Sequence, residues 1–423
     1  MMEALDSLDT ERQARLNQAS LASGTPGRAE TARFRRDPAT WYAYLMLGFF
    51  GFALNVQGNI VPLLKAELGL SYRTVGLHAS ALAGGLMTTG LTGTPILKRL
   101  GRRRAMWLGA LGLLIGIVLL CSATHPAMSI GACALIGAVG GLVPIVVAAA
   151  LADLHGDRRD VAYAEANAAS YLFSLLGPLG IGAALALGIN WRFALLFGTA
   201  LGMLVVSRFR RARLPDAPVT AATGRGGGLD IVYWSYWATL ALGVATEYCV
   251  LLWAPEYLER VTGLSRSGAA VGAGAFMVAM IGGRLAGSRL LDRYAAPVLL
   301  RSALLVALAG FVVYWGFGDA ARVGVGWAAF CGVLGLFVIG LGVAPIYPLT
   351  LALAVRAAGP FAALASARTT LASGGAILLM PALLGTAADQ VGLARAMLVV
   401  PLLVALALAS AATANRLAGA AQR

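Results

Sequence analysis

The chain has 423 residues, of which 59% are apolar and only 12% charged, with a formal net charge of +14. A soluble globular chain carries about a quarter charged residues, so the charges here are too few to cover a water-facing surface and the apolar excess has to face lipid. The positive balance does not point to nucleic acid, because the basic residues sit in short clusters between long apolar runs, a pattern that orients membrane proteins.

In chain order, residues 1–38 are charged and rich in Ser, Thr and Gly, without the apolar core of a secretory signal, and read as a cytoplasmic disordered tail. Runs of about 20 apolar residues cross hydrocarbon as helices. Such runs fall at 41–64, 74–97, 105–122, 128–152, 161–188 and 190–207, then at 231–254, 267–290, 297–317, 324–355, 360–387 and 392–414. No alternating strand pattern appears, and a backbone in lipid must satisfy its own hydrogen bonds, so all twelve are read as helices. The expected architecture is an all-α membrane protein with six-helix halves at 39–207 and 230–414. Residues 208–229, with several arginines, two prolines and Gly226–Gly228, form a cytoplasmic linker, and 415–423 a C-terminal tail.

Of the 33 Lys and Arg residues, 23 fall on one side of this topology if the N-terminus is cytoplasmic, seven fall on the other, and Arg284, Arg301 and Arg368 lie within spans. Without the two tails the bias is still 15 to 7. Positively charged loops stay inside, so both termini are expected in the cytoplasm, and the membrane is taken to be a bacterial cytoplasmic (inner) membrane.

The halves look like copies. Gly141-Leu-Val-Pro144-Ile145 recurs as Gly342-Val-Ala-Pro345-Ile346, Pro178 as Pro381, and Gly93–Arg99 as Gly287–Arg293, in the same order and at offsets of 201, 203 and 194. Parallel six-helix repeats with a site between them at mid-membrane describe one large class of secondary transporter.

The loop after the second span holds Arg99, Gly101, Arg102, Arg103 and Arg104, and the copy after the eighth holds Gly283-Arg284, Asp292 and Arg293. This pattern resembles the signature of the major facilitator superfamily, over essentially residues 41–414. It departs from that signature at Lys98, where the family has an acidic residue, and at Thr94, where it has glycine. The resemblance implies a twelve-helix fold in two pseudo-symmetric halves, and a gating role for Arg99, Gly101, Arg102, Arg103, Asp292 and Arg293. Glu247 with Trp253–Leu258, and Gly342–Pro348, are similar to fucose-permease-like carriers. Gly177-Pro178-Leu-Gly180-Ile-Gly182 is similar to the fifth-helix motif of drug/proton antiporters, whose fourth-helix arginine is missing here.

Charges inside spans are costly, roughly 2.5–3.5 kcal/mol at mid-helix, and normally face a cavity or a partner. Arg368 is read as a substrate or gating residue, since a guanidinium suits a carboxylate, and as the only cation about as deep as Glu247. Glu247 either carries a coupling proton or pairs with Arg368. Glu165, the pseudo-symmetry equivalent of Arg368, is a second proton-coupling candidate or a solvated helix-end residue. Asn55 and Asn59, four apart, share one face of the first helix, with Gln57 pointing elsewhere. They bind substrate or join helices. Tyr347, between Pro345 and Pro348, sits on a bent helix beside the cavity and is a substrate contact. His78 is as readily structural as a proton relay. The four cysteines lie in apolar runs and read as packing residues.

No phosphate-binding loop ends in Gly-Lys-Ser/Thr, no nucleophile–base set appears, and the three histidines show no ligand spacing. The expected function is therefore not enzymatic and needs no metal or cofactor. It is secondary active transport of a small polar or anionic organic solute by alternating access, coupled to protons. The alternative is proton-driven efflux of amphipathic compounds. The expected partners are a small-molecule substrate, protons and the lipid bilayer, with no nucleic acid, and the protein is expected to be a monomer.

Overall fold

The computed structural model describes residues 36–209, 212, 214–215, 229–291 and 293–421. Eleven helical segments are long and apolar enough to cross a membrane, and one of them, Tyr72–Cys121, is two spans joined without a loop. The joint is Gly101, at φ 73° and ψ 162°, a conformation that glycine adopts and a residue with a side chain rarely does. Cutting there yields twelve spans among the described residues. These are α1 (Pro38–Leu68), α2 and α3 (the arms of Tyr72–Cys121 before and after Gly101), α4 (Pro126–His155), α5 (Arg159–Ala186) and α6 (Trp191–Arg208). The second half comprises α7 (Ile231–Arg260), α8 (Arg266–Leu290), α9 (Ala296–Gly316), α10 (Val325–Ala357), α11 (Ala362–Val391) and α12 (Leu393–Gly419).

Local chemistry starts and stops these helices. Side-chain oxygens of Ser71, Asn190, Asp230 and Ser265 accept backbone N–H bonds at the first turns of α2, α6, α7 and α8. Gly69 ends α1 with a left-handed cap. Several spans bend within the membrane. α1 is interrupted by a turn at Val56, and α10 by one at Ala344–Pro345, immediately before Tyr347, as the two prolines led us to expect.

Two boundaries differ most from the sequence-based expectation. α7 runs to Arg260 rather than 254, with Pro255 inside the helix, because the charge that follows it is neutralised by partners instead of facing water. The last helix runs on to Ala421, into residues expected as tail. Residues 1–35 and most of the 208–229 linker lie outside the described residues.

The halves meet along three helix pairs: α1 with α7, α2 with α11, and α5 with α8. Within the first half, buried polar side chains tie helices together. His78 bridges the Thr74 carbonyl oxygen (2.9 Å) and Ser129 Oγ (2.8 Å), joining α2 to α4. Thr40 meets His155 at 2.9 Å, joining α1 to α4. The four cysteines are buried and unpaired.

Candidate functional site at the interface between the halves

α7 carries Glu247 slightly beyond its midpoint, on the surface that meets the other half. The Tyr171 hydroxyl of α5 donates toward Glu247 Oε1 at 3.5 Å, the outer limit of hydrogen bonding, and accepts from Arg284 Nη2 of α8 at 2.6 Å. The guanidinium also lies over the Tyr171 ring, 4.5 Å from its centroid. One phenol thus links an acid and a base of the second half across the interface. Arg284 Nε is buried and has no acceptor, so the guanidinium keeps donor capacity unused. Tyr347 of α10 and Tyr248 of α7 lie within electrostatic reach of both charges.

The structure therefore links Glu247 through Tyr171 to Arg284 and not to Arg368. Arg368 sits 5.4 Å from the Trp234 ring centroid, and its carbonyl accepts from Trp237 Nε1 at 2.9 Å. Trp234 is thirteen residues before Glu247 on α7, roughly 20 Å along the axis. The expectation that Arg368 is the only cation near that depth fails because Arg284, near the end of its apolar run, reaches back along α8 to Tyr171. The long guanidinium stem permits this reach.

Asn55 and Asn59 part company at the Val56 turn. Asn55 Nδ2 donates to Ser174 Oγ (2.9 Å) and to the Gly51 carbonyl oxygen (3.1 Å), joining α1 to α5, and the residue borders a cavity shared with Gln57 and Tyr248. Asn59 faces a different cavity nearer the helix end, with Pro255 and Arg266, and its buried Oδ1 has no partner. Gln57, expected to point elsewhere, is the buried neighbour of Asn55 at that first cavity. Glu165 accepts from the Tyr44 hydroxyl at 3.0 Å, joining α1 to α5, six residues before Tyr171 on α5.

A second polar cluster crosses between the halves at the end of the bundle away from the Gly101 joint. Glu256 of α7 is only 2% exposed and receives Lys65 Nζ of α1 at 2.8 Å, Tyr72 Oη of α2 at 3.2 Å and Arg260 Nε. Lys65 Nζ also stands 3.3 Å from the Tyr72 ring centroid. Asp389 of α11 accepts the backbone N–H groups of Tyr72 and Arg73, both at 2.8 Å, at the start of α2. Backbones come together around these bonds. A Cβ on Gly58 would lie 2.3 Å from the Leu251 carbonyl oxygen, and one on Gly385 2.4 Å from that of Tyr72. The halves are interlocked at this end.

At the opposite end, Arg102 forms an ion pair with Asp153 of α4 (2.5 Å) and donates to the Pro215 carbonyl oxygen of the linker (2.6 Å). Arg99, Arg103 and Arg293 are exposed, and Gly101 makes the α2–α3 joint. Asp292 lies outside the described residues. Sequence reasoning missed Arg284 and Tyr171 as site residues and the Lys65–Glu256 bridge. The signal for Arg284 is present, an arginine inside the eighth apolar run, but the residue order does not show that it reaches Tyr171.

Comparison with known proteins adds three findings. A family profile described as Major Facilitator Superfamily matches residues 41–381. An uncharacterized MFS-type transporter of Yersinia pestis is 26% identical over 384 residues, covering 88% of this chain and 94% of its own. Among solved structures, a peptide transporter in complex with sulfate superposes with a TM-score of 0.73 at 17% identity, covering 94% of this chain and 99% of its own. A bacterial homologue of the human lysosomal transporter Spinster, inward-facing and occupied, gives a TM-score of 0.69 at 15% identity, covering 89% and 96%. A nucleoside transporter gives 0.69 at 13%, covering 89% and 99%. These structures share the fold.

Proposed function

The chain belongs to the major facilitator superfamily and is a secondary transporter rather than an enzyme; on that premise we propose that it moves a small polar or anionic organic solute by alternating access, coupled to protons. The observation that carries this reading is the Arg284–Tyr171–Glu247 bridge across the interface. With Glu247 ionised, the two charges balance and the site is neutral. With Glu247 protonated, Arg284 is an uncompensated cation in a desolvated place, a costly arrangement that an anionic group on the substrate relieves. Substrate and proton then stabilise each other's binding. Tyr347 and Asn55 border the same region and are further substrate contacts in this reading. Asn59 faces the neighbouring cavity. Glu165 acts in the α1–α5 packing that holds Asn55. Arg368 acts at the helix ends near Trp234.

The clustering of basic loops supports an orientation with both termini in the cytoplasm of a bacterial inner membrane. The interlocked Lys65–Glu256 end is then extracellular. Arg99, Gly101, Arg102 and Arg103, with Asp292 and Arg293, act in closing the cytoplasmic side in this reading. The protein works as a monomer in this scheme, with the bilayer, the solute and protons as its only partners. Uptake into proteoliposomes of organic acids, sugars and lipophilic cations, with and without a pH gradient, tests it. Gradient-driven accumulation of acids or sugars is expected. Extrusion of lipophilic cations alone would overturn it in favour of amphipathic efflux.

A further inference from the structure

Glu247 has a neighbouring face on α7 with a different character. Trp237, Ala241, Val244 and Tyr248 recur at spacings of four, three and four, so they form one stripe along the helix, roughly 16 Å long at 1.5 Å per residue. The stripe packs with Ala83 of α2, Ala372 and Ile377 of α11, and Tyr347 of α10. Trp237 and Tyr248 of the stripe, and Tyr347 against it, are only partly buried, so each keeps surface beyond this cluster. The wall is apolar apart from the aromatic polar tips, and its indole tip is already used on the Arg368 carbonyl. Glu247 and Arg284 lie beside the Tyr248 end of the stripe, and Arg368 lies near its Trp237 end. Tyr248 is next to Glu247 in the chain, and Arg284 and Tyr171 approach from α8 and α5.

The site thus has two unlike poles: a charged one with spare guanidinium donors, and an aromatic and aliphatic one facing α2 and α11. A sugar, polar over its whole surface, would leave its hydroxyls without partners along the stripe, where unmade hydrogen bonds are costly. A very small hydrophilic acid would leave the exposed parts of Trp237, Tyr248 and Tyr347 uncovered. We propose that the substrate is an amphipathic monocarboxylate, an aromatic or branched aliphatic acid whose carboxylate meets the open edge of Arg284 and whose apolar body lies on the Trp237–Tyr248 stripe. A planar guanidinium offers a carboxylate two parallel N–H donors, which suits a group with one charged end.

This inference rests on the transport reading above, and binding to purified full-length protein in detergent separates the two. The probes are benzoate, phenylacetate and isovalerate as amphipathic acids, acetate as an acid without a body, benzyl alcohol as a body without a charge, glucose, and tetraphenylphosphonium. The amphipathic acids are expected to bind saturably and at least about tenfold more tightly than acetate and benzyl alcohol. Tyr248→Ser should weaken benzoate about tenfold and leave acetate unchanged. Arg284→Gln should erase the preference for benzoate over benzyl alcohol, and Arg284→Lys, which keeps the charge, should restore part of it. Each variant is first checked for a monodisperse profile and a wild-type melting curve, and Arg284→Lys carries the test if Arg284→Gln fails that check. Acetate or glucose binding as tightly as benzoate overturns the amphipathic-acid inference while leaving polar-solute transport standing. Binding of tetraphenylphosphonium alone overturns both. No saturable binding by any of the three amphipathic acids overturns the inference.

Discussion

Two polar clusters join the halves, and they differ in how fully their hydrogen-bonding capacity is used. At the interlocked end, Glu256 receives three partners and Asp389 accepts two backbone N–H groups, amid backbones in direct contact. At the midplane, Arg284 holds one phenol and keeps Nε without an acceptor, and Glu247 has a single long bond. A saturated, tightly packed cluster stabilises one arrangement of the halves. An under-used one, in a place where unmet polar groups are expensive, is complete only with a ligand or a proton. Position along the same interface therefore separates holding from binding.

The most severe test of this contrast is Glu247→Gln. The amide imitates the protonated acid and cannot cycle. Accumulation against a pH gradient should vanish, while counterflow without a gradient persists. Accumulation with the normal gradient dependence would make Glu247 structural.

The interlock should respond asymmetrically. Glu256→Gln leaves Lys65, 12% exposed, facing a neutral group, and should cost about 3 kcal/mol of stability. Lys65→Met leaves Glu256 with Arg260 and Tyr72, and should cost only about 1 kcal/mol. Thermal unfolding in detergent compares them, and equal losses would mean that the cluster does not centre on Glu256.

Gly76→Val tests the interlock without touching a charge. Its Cβ would lie 2.5 Å from Ala382 Cα and 2.7 Å from the Pro381 carbonyl oxygen, so α2 and α11 must separate. Overpacking of this kind costs about 1–3 kcal/mol. Labelling of a Glu259→Cys reporter should rise by roughly tenfold or more as the closed end opens. Unchanged labelling would show that these backbones yield without opening the interface.

Arg368→Gln should have the smallest effect. A cation resting on an indole contributes about 0.5–1 kcal/mol at a partly exposed site, so the KM should stay within about fivefold of wild type. A hundredfold loss would move the anion-binding role back to Arg368.

Much of this molecule was legible in the residue order. The number of spans, the repeat of the halves and the bend before Tyr347 follow from hydrophobic runs and proline positions, which act locally and survive any packing. The choice of Glu247 also rested on a local property, a carboxylate inside an apolar run. Its partner was not legible, because an arginine's reach depends on how two helices cross and how far its stem extends. Straight-helix spacing puts Asn55 and Asn59 on one face, and the Val56 turn sends them to different cavities. Glu256 looked like the end of a span until Lys65, 191 residues earlier, neutralised it inside the fold. Composition and periodicity by themselves determined that this chain crosses a membrane as two six-helix halves, since lipid leaves a backbone few other ways to satisfy its hydrogen bonds. Only the tertiary structure decided which charges meet and which donors stay open, since those depend on distances of a few ångströms between residues far apart in the chain.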